Sequence, residues 1–378
     1  MKPLRTSCLI ALAVIAPLLH PLPAAAQQGV APDSVTLGYS GARTGPVAEL
    51  AGEFLSGATL YFDALNARGG VNGRRILVNA VDDAYDPNRA ADNVRKLVGS
   101  GQIFALFGNS GTATTQKAIP IATAAHVPFF APHTGADALR EHNAYVFHLR
   151  ASYGQEIEKI VEHLTTLGVT SIGVVHHADP FGLGGLAAAS RALAKRGLAA
   201  AVVAPIASNG ADAADSAKRI ATANPAAVIM ITAGNSSAAF LKALQQTGQQ
   251  PMTYGLSVIS SKQLIRELGE KAHGLVIAQV VPTPFRVDYP VVREYRQAAD
   301  KAGQAYSHTA LEGYVAARTL SEALRRAGRE LSREKLVSAL EEMRDVDIGG
   351  LRLSFSARDH VGMDFVDLTV ISRGSFAK

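Results

Sequence analysis

The chain has 378 residues, which is more than one hydrophobic core usually supports, so two domains are expected. Hydrophobic residues make up 48% of the chain and charged residues 18%, a balance that excludes long disorder. The net charge of +5 falls by two without Lys2 and Arg5, and there is no Lys/Arg run with interleaved aromatic residues, so no nucleic acid is expected as a partner.

The first 26 residues have the pattern of a signal peptide. The basic residues Lys2 and Arg5 precede an apolar run at 9–19, and Ala24-Ala25-Ala26 offers a cleavage site. The alternative is an ordinary N-terminal helix, but the prolines within 17–23 would break it. We therefore predict an exported protein cleaved after Ala26, periplasmic in a cell with an outer membrane.

Two further expectations concern the mature chain. The only cysteine, Cys8, lies before the cleavage site, so neither a disulfide nor a thiolate metal site is expected. The later hydrophobic stretches have the length of strands, so no membrane-spanning segment is predicted.

Strands and helices are predicted to alternate strictly in the first part of the chain. Asp86 and Pro87 are residue types that cap and begin a helix. The alternation predicts right-handed crossovers and a parallel sheet. The predicted strands are 35–41, 75–81, 103–107 and 127–131, and the predicted helices cover 55–65, 90–98 and 112–125.

The same alternation restarts at Tyr145, which indicates a second lobe of the same architecture. The break near residues 150–154 has no long Pro- or Gly-rich linker, so a short hinge is expected. The predicted strands are 145–150, 171–176, 199–205 and 226–231, and the predicted helices are 155–167, 183–195, 215–223 and 235–247.

The remaining elements do not continue this series. A strand at 275–281 is followed by helices at 291–301, 309–327 and 332–343. The last two strands, 351–355 and 365–372, are predicted to pair as a hairpin. These leftover elements indicate that the chain crosses back to the first lobe.

Two polar loops are the candidate binding site. The segments 105–116 and 127–135 each contain an apolar strand that ends in Gly, Ser, Thr or Asn. The carboxyl edge of a parallel sheet is where such folds hold small ligands, so we expect a cleft for a small polar molecule with a carboxylate. The alternative is that Ser110, Thr112 and Thr134 cap helices, and both roles can hold at once because a helix N-terminus attracts anions.

Other chemistry finds little support in the sequence. Gly182-Leu-Gly-Gly185 lacks the spacing of a dinucleotide fingerprint, and Gly108-Asn-Ser-Gly111 lacks the Lys of a phosphate-binding loop. His176 and His177 are adjacent on a strand and point to opposite faces, so a shared metal is not expected. No nucleophile–base pair is found for an exported hydrolase. The sequence therefore predicts no enzyme, no metal and no cofactor.

The early part of the chain closely resembles a known family. The matching residues are Gly45-Pro46, Gly57-Ala58, Asn66-Ala-Arg-Gly-Gly-Val-Asn-Gly73, Asp82-Asp83 and Asp86-Pro87. These resemble the leucine/isoleucine/valine-binding proteins, which are type I solute-binding proteins of branched-chain amino acid ABC transporters. The resemblance extends through Pro128, Pro132 and Phe181-Gly182 and covers essentially the whole mature chain.

The resemblance implies an α/β fold of two doubly wound parallel-sheet lobes joined by a three-strand hinge, the type I periplasmic binding protein fold. It implies a first lobe of residues 27–152 and 281–354 and a second lobe of 153–280 and 355–378. It also implies a small-molecule ligand in the interlobe cleft, closure on binding, delivery to an inner-membrane ABC permease, and a monomer.

Site residues follow from the resemblance by position. The ligand carboxylate is expected at Thr112, with Ser110 and Gly111 beside it. The second loop contributes His133, Thr134 and Gly135, and the family's second hydroxyl falls on Gly135, one position after Thr134. The aromatic positions over the ligand fall on Leu50 and Phe181, and Asn235 and Ser257 are the remaining second-lobe candidates. Apart from the resemblance, Tyr153 is a candidate for lining the cleft because it lies next to Ser152 at the presumed hinge.

The family's acidic residue for an α-ammonium is missing from the matched positions. Those positions fall on Ser257 and near Gly234. A buried ammonium without a carboxylate would cost several kcal/mol. The ligand is therefore expected to be an aromatic or branched aliphatic carboxylate, or a small amide, rather than an unmodified amino acid. An alternative function is a ligand-sensing subunit that presents its closed form to a membrane kinase or chemoreceptor.

Overall fold

The computed structural model of the protein describes residues 28–372 and Ser375–Phe376. The predicted signal peptide and Cys8 lie outside these residues. The described chain contains two large, mostly parallel sheets, each covered by helices on both faces. This confirms the predicted α/β fold of two doubly wound lobes.

The first sheet has five parallel strands in the order β2-β1-β3-β4-β5. β1 lies inside the sheet, next to the edge strand β2, since Leu37 pairs with Val78 on one side and with Ala105 on the other. The strands are β1 (Ser34–Gly41), β2 (Arg75–Asp82), β3 (Ala105–Phe107), β4 (Phe129–Phe130) and β5 (Val146–Phe147).

The second sheet has seven strands in the order β14-β13-β10-β9-β8-β6-β7, and only β13 and β14 are antiparallel to their neighbours. A separate antiparallel pair joins β11 and β12. The strands are β6 (Ile172–His177), β7 (Val202–Ile206), β8 (Ala227–Ile231), β9 (Met252–Gly255), β10 (Val276–Gln279), β11 (Val346–Asp347), β12 (Arg352–Leu353), β13 (Asp367–Ser372) and β14 (Ser375–Phe376).

Eleven α-helices are present in the described part of the chain. They are α1 (Ala48–Asn66), α2 (Pro87–Gly99), α3 (Thr112–Ala124), α4 (Tyr153–Thr166), α5 (Pro180–Ala194), α6 (Ala213–Ala223), α7 (Asn235–Gln246), α8 (Ser261–Leu268), α9 (Pro290–Lys301), α10 (His308–Ala327) and α11 (Arg333–Glu341). Asp86 caps α2 as predicted, because its side chain accepts from the backbone N–H groups of Asn88 and Arg89.

The alternation of side chains along each strand separates the two faces of a sheet. In the first lobe, Phe107 and Phe130 face α1 and α10, whereas Leu106 and Phe129 face α2 and α3. In the second lobe, one face packs against α4 and α5 and the other against α6, α7 and α8. Each sheet is therefore a rigid support for the loops at its carboxyl edge.

The predicted terminal hairpin is wrong. β12 pairs with β11, and β13 pairs antiparallel with β10 of the second sheet, with Val276 opposite Val370. An apolar strand pairs with whichever edge is free, and for β13 that edge is distant in sequence. β9 and α8 were not predicted, since four strand residues between Pro251 and Leu256 carry too little periodicity to be recognised.

Candidate functional site

A cavity lies between the two lobes at the carboxyl ends of β3 and β4. In this closed arrangement it leaves about 20 Å³ open to the centre of a water molecule, room for little more than one water. Both lobes contribute to its wall. The lining residues are Val47, Leu50, Tyr85, Ser110, Gly111, Thr112 and His133 from the first lobe and Tyr153, Phe181, Ala233 and Val258 from the second.

Gly111 shapes the loop between β3 and α3. Its φ of +103° is one that side-chain-bearing residues rarely adopt, and an added Cβ would overlap the ring of Tyr85. Its backbone N–H donates to the carbonyl oxygen of His133 at 3.2 Å, which ties the two polar loops together. Gly111 therefore lets Tyr85 and the start of α3 meet at the cavity.

The hydroxyl groups of the two loops do not cap α3. Thr112 and Thr134 share a hydrogen bond of 2.8 Å between their Oγ1 atoms, and Ser110 Oγ lies 3.1 Å from the hydroxyl of Tyr39. The N-cap residue of α3 is Gly111, which has no side chain to offer. The positive end of the α3 dipole and the Thr112 hydroxyl therefore lie together at the cavity wall.

His133 forms the floor of the cavity on the first lobe. Its ring stacks on Phe54 with centroids 4.5 Å apart, and its Nε2 lies 3.6 Å from an oxygen of Glu312. Gly135 lies just beyond, and its carbonyl oxygen accepts from the Tyr153 N–H at 2.7 Å. An added Cβ at Gly135 would press on the Tyr153 ring. Gly135 therefore positions Tyr153 without lining the cavity itself.

The second-lobe candidates divide into two groups. Tyr153 and Phe181 line the cavity with their rings edge to face, 5.0 Å apart. Asn235 is not among the lining residues. Its N–H donates to the carbonyl oxygen of Pro46 across the lobes, and its Oδ1 accepts from Gln263. Ser257 is buried one residue before the lining residue Val258.

A buried charge network lies behind Ser257. Glu156 accepts from the Ser257 N–H at 2.8 Å and from its hydroxyl at 2.9 Å, and it also accepts from Arg150 at 2.9 Å. Arg150 donates to the Ser257 hydroxyl and lies 3.2 Å from Glu312. The positions that match the family's acidic residue carry no acid in this chain. The fold nevertheless places Glu156 beside one of them, Ser257, and Glu156 is already bonded there to Arg150 and to Ser257.

Mutual attraction fixes the charges of Arg150 and Glu312, whereas burial raises the pKa of Glu156 although Arg150 and Ser257 oppose the shift. Burial alone would lower the pKa of Arg150, but Glu312 and Glu156 outweigh it and raise that pKa above its usual value. Burial alone would raise the pKa of Glu312, but Arg150 and His133 lower it. Arg150 and Glu312 are therefore charged, and the guanidinium is shared between carboxylates from α4 and α10.

Several lining residues were not predicted as contacts. Val47, Tyr85, Ala233 and Val258 lie in loops between strands and helices, where no periodicity marks a residue as a contact. His176 and His177 hydrogen bond locally, His176 to the carbonyl of His177 and His177 to Ser236. Within the described residues, no cluster of three or more His, Cys, Asp or Glu could hold a metal.

Comparisons with known proteins agree with this architecture. A family model described as periplasmic binding protein matches residues 34–374. The Leu/Ile/Val-binding protein homolog 3 of Brucella melitensis is 22% identical over 328 residues, covering 85% of this chain and 87% of the relative. None of the helices between residues 28 and 372 is long and apolar enough to cross a bilayer.

Two solved structures are similar over nearly their whole length. A possible leucine/isoleucine/valine-binding protein from Rhodopirellula baltica has a TM-score of 0.85 and 29% identity, covering 93% of this chain and 96% of its own. A substrate-binding periplasmic protein from Ralstonia solanacearum has a TM-score of 0.84 and 32% identity, covering 90% of this chain and 98% of its own.

Proposed function

The chain belongs to the periplasmic binding protein family, of the type that serves branched-chain amino acid ABC transporters, and from that premise we propose that it captures a small carboxylate between its lobes. The family and fold are those of solute-binding proteins rather than enzymes. The proposed partner is an inner-membrane ABC permease that receives the ligand from the closed form.

One observation carries the proposal: the interlobe cavity has hydroxyl groups and a helix N-terminus on one side and no carboxylate among its lining residues. Thr112 and Ser110 offer hydroxyl groups, and the uncapped first turn of α3 favours a negative charge. This arrangement suits a carboxylate, which accepts hydrogen bonds only.

The rest of the cavity lining is mostly apolar, with Leu50, Phe181, Ala233 and Val258 among its residues. Glu156 is close to Ser257, but its oxygens already accept from Arg150 and from Ser257. An α-ammonium enclosed here would lack a free carboxylate, at a cost of several kcal/mol. We therefore propose an aromatic or branched aliphatic carboxylate, or a small amide, as the ligand.

Closure follows from ligand contacts to both lobes. Thr112 belongs to the first lobe and Phe181 to the second, so a ligand that touches both stabilises the closed form relative to the open one. The remaining proposed contacts are Leu50, Ser110, Gly111, His133 and Tyr153, with Thr134, Gly135, Asn235 and Ser257 supporting them from behind.

The lobe boundaries are also a proposal. The resemblance puts the last crossing at 354/355. Phe355 and Met363, however, pack in the core of the first lobe, whereas Val366 and Leu368 pack against that of the second. We therefore propose that the chain crosses near residues 364–366. Signal-peptide cleavage after Ala26, a periplasmic location of the mature chain and a monomeric state complete the proposal.

Thr112→Val tests the carboxylate site. Replacing the hydroxyl by a methyl group leaves a ligand oxygen without its partner, which should weaken binding of 4-methylpentanoate by about 1–3 kcal/mol. Isothermal titration calorimetry on the mature chain, freed of co-purified ligand, measures the change.

Two variants control this experiment. Thr112→Ser keeps the hydroxyl and should retain most of the affinity. Thr222→Val removes an exposed hydroxyl on α6, far from the cavity, and should leave binding unchanged. Equal affinity of Thr112→Val and the unmodified chain would remove Thr112 from the site.

A further inference from the structure

A second cavity lies between α3, α4 and α5 and shares lining residues with the first, which we call the inner cavity. We call the second cavity the annex. It leaves about 220 Å³ open to the centre of a water molecule, far more than the inner cavity. Its lining residues are Thr112, Gln116, Ala136, Asp137, Ala138, Leu139, Tyr153, Pro180, Phe181, Gly184, Gly185, Ala187 and Arg191.

The annex and the inner cavity are neighbours that share walls. Thr112, Tyr153 and Phe181 line both. A ligand whose carboxylate lies at Thr112 therefore has most of the available room on the annex side of Phe181. The bulk of the ligand is expected there rather than in the inner cavity.

The lining of the annex is mixed in character. Many of its residues are small or apolar, among them Ala136, Leu139 and Gly185. Arg191 and Gln116 bring polar groups to the lining. Arg191 is exposed and joins none of the ion pairs found within residues 28–372. The Asp137 carboxylate is already bonded to the Gly154 N–H at 3.0 Å.

We propose that the annex is a ligand subsite for an elongated carboxylate with an apolar body and a second anionic group at its far end. The inner carboxylate lies at Thr112, the apolar body passes Phe181 and Gly184, and Arg191 pairs with the outer anion. This rests on the proposed function, because it takes the carboxylate at Thr112 as its starting point.

Gly184 offers a way to close the annex without disturbing the fold. It is exposed on α5, and an added Cβ would meet no heavy atom within 4 Å. The larger side chain of Gly184→Leu should fill the annex. Gly99→Leu is the matched control, because Gly99 is an exposed glycine on α2 that also has nothing within 4 Å of an added Cβ.

The test is calorimetric titration of the mature chain with butyrate, octanoate and suberate. The unmodified chain should bind octanoate and suberate more tightly than butyrate, because the longer chains bury more methylene groups. Gly184→Leu should weaken binding of the two long ligands by about tenfold or more and leave butyrate unchanged. Gly99→Leu should match the unmodified chain for all three.

Arg191→Gln tests whether Arg191 pairs with the outer anion of the ligand. It should weaken binding of suberate by about tenfold and leave octanoate unchanged, since only suberate has an outer carboxylate to pair with the guanidinium. Equal losses for the two ligands, or none for either, would overturn the assignment of Arg191.

Separate results overturn the annex and the proposed function. If octanoate binding depends on Thr112 but not on Gly184, or if butyrate binds as tightly as octanoate, the annex is not a subsite and the carboxylate site stands. If none of the three ligands binds, and Thr112→Val leaves the binding of 4-methylpentanoate unchanged, both the annex and the proposed carboxylate site are overturned.

Discussion

Arg150 occupies the Glu156 carboxylate and so limits what else that carboxylate can bind. Its guanidinium lies between Glu156 of α4 and Glu312 of α10, and all three side chains are buried. Removing one partner from such a group leaves a buried charge without compensation, which typically costs about 3–5 kcal/mol. Glu156 is therefore held by Arg150 and Ser257 and is not free to accept a ligand ammonium.

Asp83 should make the free energy of unfolding depend on pH. Burial raises the pKa of Asp83 from 3.8 to about 6, although the Tyr85 N–H and the Ser40 hydroxyl oppose the shift. The folded state therefore binds this proton more tightly than the unfolded chain. The contribution of Asp83 to the free energy of unfolding is largest below pH 4 and is lost as the pH rises through about 6.

Asp83→Asn should abolish this dependence. Between pH 4 and pH 7 the stability of the variant should rise relative to that of the unmodified chain, by up to about 3 kcal/mol. Urea unfolding at several pH values in this range measures the difference. If the two stability curves run parallel throughout it, Asp83 does not titrate as described.

At the scale of elements, two glycines set the crossing of α1 and α10. An added Cβ at Gly57 would overlap the carbonyl oxygen of Ala310, and one at Gly313 would overlap that of Phe54. The two helix backbones are therefore in direct contact. Because Phe54 stacks on His133 and Glu312 lies on α10, this crossing also supports the floor of the cleft.

Gly57→Ala should lower the free energy of unfolding by about 1–3 kcal/mol or more, because backbone atoms have to move to admit the methyl group. Gly52→Ala on the same helix is the control. Its added Cβ would meet nothing within 4 Å, so it should be neutral or stabilising by about 0.5–1 kcal/mol. Chemical denaturation of both variants measures the contrast, and equal stability would rule out the close crossing.

Local pattern predicted most elements, because strand–helix alternation and caps such as Asp86 are encoded by neighbouring residues. The pairing of β13 with β10 was not predictable in this way, since three helices and the β11–β12 pair lie between the two strands in sequence. The sequence pattern of a terminal strand is the same whether the strand pairs in a hairpin or pairs with the edge of a sheet that is distant in sequence.

The candidate site was predictable where a loop follows a strand. Ser110, Gly111 and Thr112 could be identified because the carboxyl edge of a parallel sheet gathers such loops. Val258 and Ala233 could not, since an apolar loop residue carries no signal of its own. The bonding of Glu156 to Ser257 was equally hidden, because these residues are 101 positions apart.

In the molecule as a whole, direct contacts between the lobes accompany the cavity. Arg266 of α8 pairs with both oxygens of Glu49 on α1 at 2.7 and 2.6 Å, and the Ser260 hydroxyl donates to Glu53 at 2.7 Å. The Asn235 N–H donates to Pro46 at 3.0 Å. Part of the closed arrangement is therefore stabilised by the protein itself.

We propose that the cleft holds a carboxylate and has no free acid for an α-ammonium. Calorimetric titration of the mature chain with leucine and with 4-methylpentanoate, its analogue without the amine, tests this most directly. We expect tighter binding of 4-methylpentanoate, by about tenfold or more, because leucine has to bury an unpaired ammonium. Tighter binding of leucine would contradict it.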